Sequence, residues 1–404
     1  MTAQPLAGIK VLDLAWVIAG PLVGRTLADF GATVVRVEST TRIDTARLLG
    51  PFPGGLYDNQ ASMSFENCNA NKLGVTLDLS CEEARATVRD LAAWADLAVE
   101  SFLPGQMEKF GLDYPRLKEI NPQLIMVSSS LTGQSGPTAR LAGFGNIGGA
   151  LSGIKQIVGL EGELPIGPFG PYTDYVAPRF ALMALLAALD RRRRTGEGCH
   201  LDISQVEATI TLMAPQLLDF QANGRIAKAK GNRDDHFAPN GVFRAQGDDK
   251  WVAITVRSDA EWQRLANLIG GNDLAQDLRF ADLAARKLHE DALEEIVEGW
   301  TKERPAGDVE HILQSAGIPA HRVADTYDVV ADPQLEHRGS IVRLPHPRGW
   351  ESVIDAARFS LSETPARYNR AAPTFGQDND HVLRDILGYP QERIDALRDA
   401  GALT

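Results

Sequence analysis

The sequence predicts a mixed α/β protein: a doubly wound, parallel sheet in the first half and a smaller α+β domain after it. Three observations predict this. Short apolar runs alternate with helical ones over the first 130 residues, the chain at 404 residues is long for one domain, and its character shifts near Asn223. Strand–helix–strand repeats of about thirty residues mark parallel βαβ units, because parallel neighbours need a crossover connection.

The elements follow in order. Ile9–Leu14 reads as a buried strand, followed by a loop with Ala19-Gly20-Pro21 and a helix ending near Phe30-Gly31, where glycine suits the turn beyond the last helical residue. Val34–Glu38 and Gly74–Leu79 are the next strands, and Ser80 with Glu83 forms an S-x-x-E capping box for a helix reaching Trp94. Asp96–Glu100 and Leu124–Ser128 continue the sheet, whose ligands should bind outside the carboxyl ends of the strands. No G-x-G-x-x-G follows the first strand, which argues against a conventional dinucleotide site. Arg191–Arg194 closes a long helix and suits its dipole, and Leu201–Ser204 is a further strand. Beyond Asn223, Trp251–Val256 reads as a strand, with helices at Glu261–Leu268, Asp282–Trp300 and Asp308–Ala316. Short strands over Ile341–Leu361, an extended surface run over Thr364–Pro373 and helices from Asp380 end the chain. The domains are expected at 1–222, 223–325 and 326–404.

With 44% apolar and 23% charged residues the chain can bury large cores. A formal charge of −12 argues against a nucleic-acid partner. Cys68, Cys81 and Cys199 make neither a metal pattern nor an even disulfide framework, the first residues lack a signal peptide, and no run of 18 apolar residues occurs. A soluble cytoplasmic protein with no membrane partner is expected.

The candidate chemistry sits at Asp174, in a Gly/Pro-rich loop from Gly167 to Tyr175, just ahead of the apolar helical run Phe180–Leu189. An aspartate there can cap the helix start. It can equally act as a nucleophile, since a carboxylate is ionised at neutral pH and needs no activating base. The loop alone leaves both readings open. Arg42, Arg47 and Arg140 read as solvated loop cations, with a phosphate or carboxylate partner as the alternative.

An ordered set of segments resembles the class III CoA-transferases, the CaiB/BaiF or formyl-CoA transferase family. It includes Pro5–Leu14 with Ala19-Gly20-Pro21, Leu27–Ala32 with Val35–Glu38, Asn71-Lys72 with Thr76–Leu79, and Glu100–Gly105. Gly133–Pro137, the Asp174 loop, Arg194–Gly198 with Leu201–Ser204, Gly317-Ile318-Pro319, Ala331–Gln334 and Leu361–Pro365 complete it. The resemblance covers nearly the whole chain. It implies a Rossmann-like large domain completed by the C-terminal segment, a smaller domain between, and an interlocked homodimer. It also implies that CoA moves from an acyl-CoA to an acceptor carboxylic acid through mixed-anhydride and aspartyl-CoA intermediates on Asp174, with no permanently bound cofactor and a coenzyme A thioester as substrate.

Carried over residue by residue, the resemblance places Trp16, Val17, Ile18 and Ala19 near the thioester and pantetheine arm. It places Leu77, Ser101, Phe102, Lys109, Phe110 and Phe144 along the CoA groove. Lys109 stands where the family commonly has arginine, Ser39 where formyl-CoA transferase has a basic residue, and Ile18 where that enzyme has glutamine. Trp16 and Ile18 are expected to favour a larger acid than oxalate. His236 is expected to shape a pocket wall. Two alternatives share the fold: an α-methylacyl-CoA racemase-like epimerase and a non-catalytic CoA-binding homologue. The racemases use a G-H-D stretch, where this chain has Gly143-Phe144-Gly145, and phenylalanine cannot shuttle a proton.

Overall fold

The computed structural model describes residues 4–404. They form two compact units. One runs to Lys155, resumes over Gly167–Ala227 and again over Gln334–Thr404; the other comprises Gln156–Ile166 and Lys228–Pro333. The excursion Gln156–Ile166 thus packs with the second unit although its neighbours on both sides belong to the first.

The first unit is built on β1 (Lys10–Asp13), α1 (Ala19–Asp29), β2 (Thr33–Glu38), α2 (Met63–Asn69), β3 (Leu73–Thr76), α3 (Glu82–Trp94) and β4 (Leu97–Glu100). Then follow α4 (Gln106–Phe110), α5 (Tyr114–Ile120), β5 (Ile125–Ser130), α6 (Gly145–Leu151), the single turn α7 (Ile154–Ile157) that leads into the excursion, α8 (Tyr172–Thr195), β6 (Cys199–Ser204), α9 (Gln205–Ile210) and α10 (Ala214–Asn223). All six strands are parallel, in the order β3-β2-β1-β4-β5-β6. The four inner strands β1, β2, β4 and β5 alternate their side chains between two cores, as a sheet covered on both faces requires. Val11, Val34, Leu97 and Ile125 pack with Val23 and Leu27 of α1 and Ala181 and Leu185 of α8. Their neighbours Leu12, Val35, Ala98 and Met126 pack with Val88 and Leu91 of α3.

The second unit pairs β7 (Asn240–Arg244) with β8 (Trp251–Thr255), followed by α11 (Asp259–Ala275), α12 (Leu283–Leu288), α13 (Glu290–Thr301), α14 (Ala306–Ser315), β9 (Ala320–Arg322) and α15 (Thr326–Val330). Its core gathers Trp262, Phe280, Leu293 and Leu313. The chain then returns to the first unit through α16 (Pro333–His337), the hairpin β10 (Ile341–Pro345) and β11 (Glu351–Asp355), a π-helical turn at His381–Ile386 and α17 (Gln391–Asp399). Val382, Leu383 and Ile394 join the core on the α3 face of the sheet.

Several expectations need correction. The capping box at Ser80 and Glu83 does not form: Cys81 precedes the helix with no side-chain cap, Asp78 accepts the Ser80 N–H at 2.9 Å, and Glu83 accepts from Cys81 Sγ. The earlier aspartate has taken the turn. One expected helix over Asp282–Trp300 is two, divided at His289. The Thr364–Pro373 run is not purely superficial, for Ala371 and Ala372 are buried and Asn71 ties down Asn369. Arg47 is no solvated cation: it is buried, grips Glu38 through two hydrogen bonds of 2.7 Å and stacks on Phe65.

A cluster of buried charges sits at the carboxyl ends of β1 and β2. Lys72 Nζ meets Asp13 at 2.6 Å, Asn69 Oδ1 at 2.8 Å and the Pro21 carbonyl at 2.8 Å. Arg36 donates to Asp44 and, at 2.7 Å, to the Ala15 carbonyl. Burial pulls the Lys72 ammonium down to about 8, with Asp13 opposing it. Lys72→Met should lower the unfolding free energy by about 3–5 kcal/mol, because it leaves the buried Asp13 carboxylate with only the more distant Arg36, at 3.9 Å, as a cation. Urea unfolding of the purified variant checks this; a loss under about 1 kcal/mol would mean the pair is not coupled to the fold.

Candidate active site

Asp174 lies within the first turn of α8, not in the loop before it, and it caps nothing: Pro171 holds the cap position and its side chain makes no cap hydrogen bond. The residue is 4% exposed. Gly145 and Gly148, on one face of α6, let the start of α8 approach closely. A Cβ on Gly145 would fall 2.8 Å from the Pro171 backbone, and one on Gly148 would fall 2.7 Å from Thr173 Oγ1. Burial pushes the Asp174 carboxyl up to about 6, while the Gly145 backbone N–H and the Gln205 side chain oppose this by favouring the ionised form. Among the described residues no lysine, arginine or histidine forms an ion pair with it. A buried carboxylate with only neutral donors is poised to be ionised at neutral pH without being locked into a salt bridge.

A second feature opens at the carboxyl ends of β1–β4, a cavity of about 670 Å³. Of the groove residues expected from the sequence, Trp16, Leu77, Phe102 and Phe110 line it. Trp16 and Phe102 rings lie 5.9 Å apart and Phe102 and Phe110 rings 6.0 Å apart, an apolar aromatic wall. The facing rim is polar. Ser39 and Thr41 share a 2.8 Å hydrogen bond, Thr41 donates to Asp78, and Arg42 stands beside them. Arg42, three residues after Ser39, therefore brings a cation to this rim, at a position where the sequence left a solvated arginine and a phosphate or carboxylate partner both open.

The remaining candidates hold other positions. Ser101 stands behind the wall, accepting the Trp16 N–H at 2.8 Å. Val17 takes a left-handed φ of 65°, costly for a β-branched residue, and its N–H is held by Asp44 Oδ1 at 3.0 Å. Ile18 is buried where α1 begins, and Ala19 is buried in its first turn, so neither lines the cavity. Lys109 is exposed on α4, and Phe144, 57% exposed, precedes α6; neither lines the cavity. His236, in the second unit, is exposed. Sequence reasoning missed Glu100, buried, which accepts the Phe102 N–H at 2.7 Å and so sets that ring's position. It also missed Gln205 and Thr173. The only sequence signal for Gln205 was a polar residue opening a helix straight after a strand.

The raised Asp174 carboxyl carries a stability consequence. Its folded value of about 6 exceeds the ordinary 3.8, so folding favours the neutral acid, and that contribution is complete below about pH 4 and lost as pH rises through 6. Asp174→Asn, neutral throughout, should therefore be more stable than wild type at about pH 7.5, on the order of 1–3 kcal/mol, with the difference vanishing by about pH 4. Thermal melts at both pH values check it; a less stable variant at the higher pH contradicts it.

The comparisons with known proteins agree with this geometry. The model for CoA-transferase family III matches residues 6–379. A succinyl-CoA–D-citramalate CoA-transferase of Chloroflexus aurantiacus is 33% identical over 395 residues, 98% of this chain and 97% of that protein. A succinate–glutarate CoA-transferase of Agrobacterium fabrum is 32% identical over 386 residues, covering 95% and 96% of the two chains. The crystal structure of a CaiB/BaiF family protein from Brucella suis superposes with a TM-score of 0.87 at 32% identity, over 95% of this chain and all of that one. A buried acid at a helix start and an aromatic-walled groove at the sheet's carboxyl edge thus belong to an enzyme of CoA-transferase family III.

Proposed function

We propose that this enzyme moves CoA from a dicarboxylate thioester, succinyl-CoA in the first instance, to a second carboxylic acid, with Asp174 as the covalent carrier. The observation that carries the reading is the state of Asp174: a buried carboxyl in the first turn of α8, outside any ion pair among the described residues and making no cap hydrogen bond. Succinyl-CoA and succinate appear in the names of the two relatives above, which supports a succinyl thioester as donor.

The chemistry follows from a carboxylate in that state. Asp174 attacks the thioester carbonyl, an acyl–oxygen bond forms, and CoA leaves as thiolate. The thiolate attacks the Asp174 carbonyl carbon, giving an aspartyl-CoA thioester and the free donor acid. The acceptor carboxylate then reverses both steps. Each exchange conserves charge and oxidation state, so the sequence calls for no redox group, and it replaces one difficult exchange with several easier ones. Trp16 presents an apolar wall to the groove, which favours an acid with an alkyl segment, each buried methylene contributing about 0.8 kcal/mol. The preference for larger acids expected of the first loop therefore rests on Trp16, since Ile18 is buried at the start of α1. A racemase would need an acid and a base across the substrate's α-carbon, and Phe144 supplies neither.

The assembly is read as an interlocked homodimer. Helix α10 has no buried residue, while Leu217, Leu218 and Phe220 on it are exposed, and Phe169, just before α8, is fully exposed. An apolar helix in that state asks for a covering partner. The free thiols of Cys68, Cys81 and Cys199 support a reducing, cytoplasmic setting. No helix among the described residues is long and apolar enough to cross a membrane.

Asp174→Ala and Asp174→Asn should lower transfer from succinyl-CoA to a panel of carboxylic acids by at least about a thousandfold, read as new acyl-CoA products by mass. Full activity in either variant ends the covalent reading. Sedimentation should show a particle of twice 43.8 kDa at all workable dilutions; an active monomer would refute the dimer.

A further inference from the structure

Gln205 opens α9 directly after β6, and it is nine-tenths buried beside Asp174. The Thr173 hydroxyl donates to Gln205 Oε1 at 2.9 Å, with the Gly145 carbonyl a longer alternative at 3.4 Å. A carboxamide has one accepting end and one donating end. With its oxygen held by Thr173, the chain neighbour of Asp174, its NH2 end is the part left for the Asp174 carboxyl, whose ionised form Gln205 and the Gly145 N–H both favour. Keeping a buried carboxylate charged is better done by arginine or lysine. Two neutral donors suit a carboxyl whose charge leaves and returns during a reaction cycle.

Resting on the reading that Asp174 is acylated, we propose that Gln205 is a catalytic residue, which with the Gly145 N–H receives the oxyanion formed at the Asp174 carboxyl carbon, and that Thr173 is the positioning residue that sets its amide. In the step concerned, the CoA thiolate's electron pair forms the carbon–sulfur bond and the carbonyl π pair moves onto the Asp174 oxygen. Its return breaks the bond to the donor acid, which departs as a carboxylate. One negative charge is present throughout and no proton moves. A neutral donor stabilises the concentrated charge of the oxyanion more than the neutral carbonyl on either side of it, and it leaves the resting carboxylate free to attack.

The test uses the full-length enzyme with succinyl-CoA. Gln205→Leu should lower kcat about 100- to 1000-fold with KM changed by less than about threefold. Thr173→Val should cost about tenfold in kcat, and Thr173→Ser, which keeps the hydroxyl, should restore it. Removing a donor that favours ionised Asp174 should also move the acid limb of kcat/KM to higher pH, which a merely structural role would not do. If Gln205→Leu fails to fold, Gln205→Glu keeps the volume and should show the same loss and the same shift. A folded Leu or Glu variant with kcat within about threefold of wild type, or with an unmoved acid limb, overturns the proposal. Hydroxylamine trapping separates it from the covalent reading. A wild-type hydroxamate at Asp174 that forms equally fast in Gln205→Leu sinks the role of Gln205 alone, whereas no wild-type hydroxamate sinks both.

Discussion

The first βα loop depends on the buried charges beneath it. Three successive backbone N–H groups there are each taken by a side chain: Ala15 by Asp13, Trp16 by Ser101 and Val17 by Asp44. The Ala15 carbonyl is taken by Arg36. None of these groups can be satisfied by the sheet, because the chain has left β1, and burial forbids leaving them unpaired. Asp13 and Asp44 serve only as charged acceptors, so they in turn need Lys72 and Arg36 inside the protein. Isolated buried pairs contribute little net stability. Here the pairs fix a geometry, including the left-handed Val17, which no run of apolar contacts would hold.

That rigidity has a functional side. The loop delivers Trp16 to the groove wall, and Ser101 and Glu100 from the neighbouring strand end hold Trp16 and Phe102 in register. Asp174 is held by a different device. The glycine face of α6 lets the start of α8 approach closely, and the Gly145 N–H and the Gln205 side chain, both neutral, favour the ionised carboxyl. Charge is spent on positioning the groove, and withheld from the group that reacts. The contrast is consistent with a carboxylate that must change its bonding in every cycle while its surroundings stay fixed.

Much of this was legible in the sequence. The short apolar runs at Ile9–Leu14, Val34–Glu38 and Leu124–Ser128, alternating with helical ones, and the glycine after α1 marked the parallel sheet, because each follows from local sterics and burial. Asp174 stood out for the loop around it. What stayed hidden depended on tertiary partners. Arg36 and Glu38 read as ordinary strand residues, and Arg47 as a surface cation, because a buried charge declares itself only once its partner is in place. Ser80 failed as a cap because Asp78 competed for the same turn. Gln205 was missed since a single glutamine carries no signal until Thr173 and Asp174 are folded against it.

The most direct measurement follows oxygen. An acceptor acid labelled with oxygen-18 in its carboxylate is incubated with the enzyme and succinyl-CoA for a single turnover, and the peptide bearing Asp174 is weighed. When the acceptor attacks the aspartyl thioester, one of its oxygens becomes the anhydride bridge, and the returning thiolate cleaves on the acceptor's side of that oxygen. The account predicts that one labelled oxygen remains in the Asp174 carboxyl while new acyl-CoA appears. Product formed with no label in that peptide would contradict it.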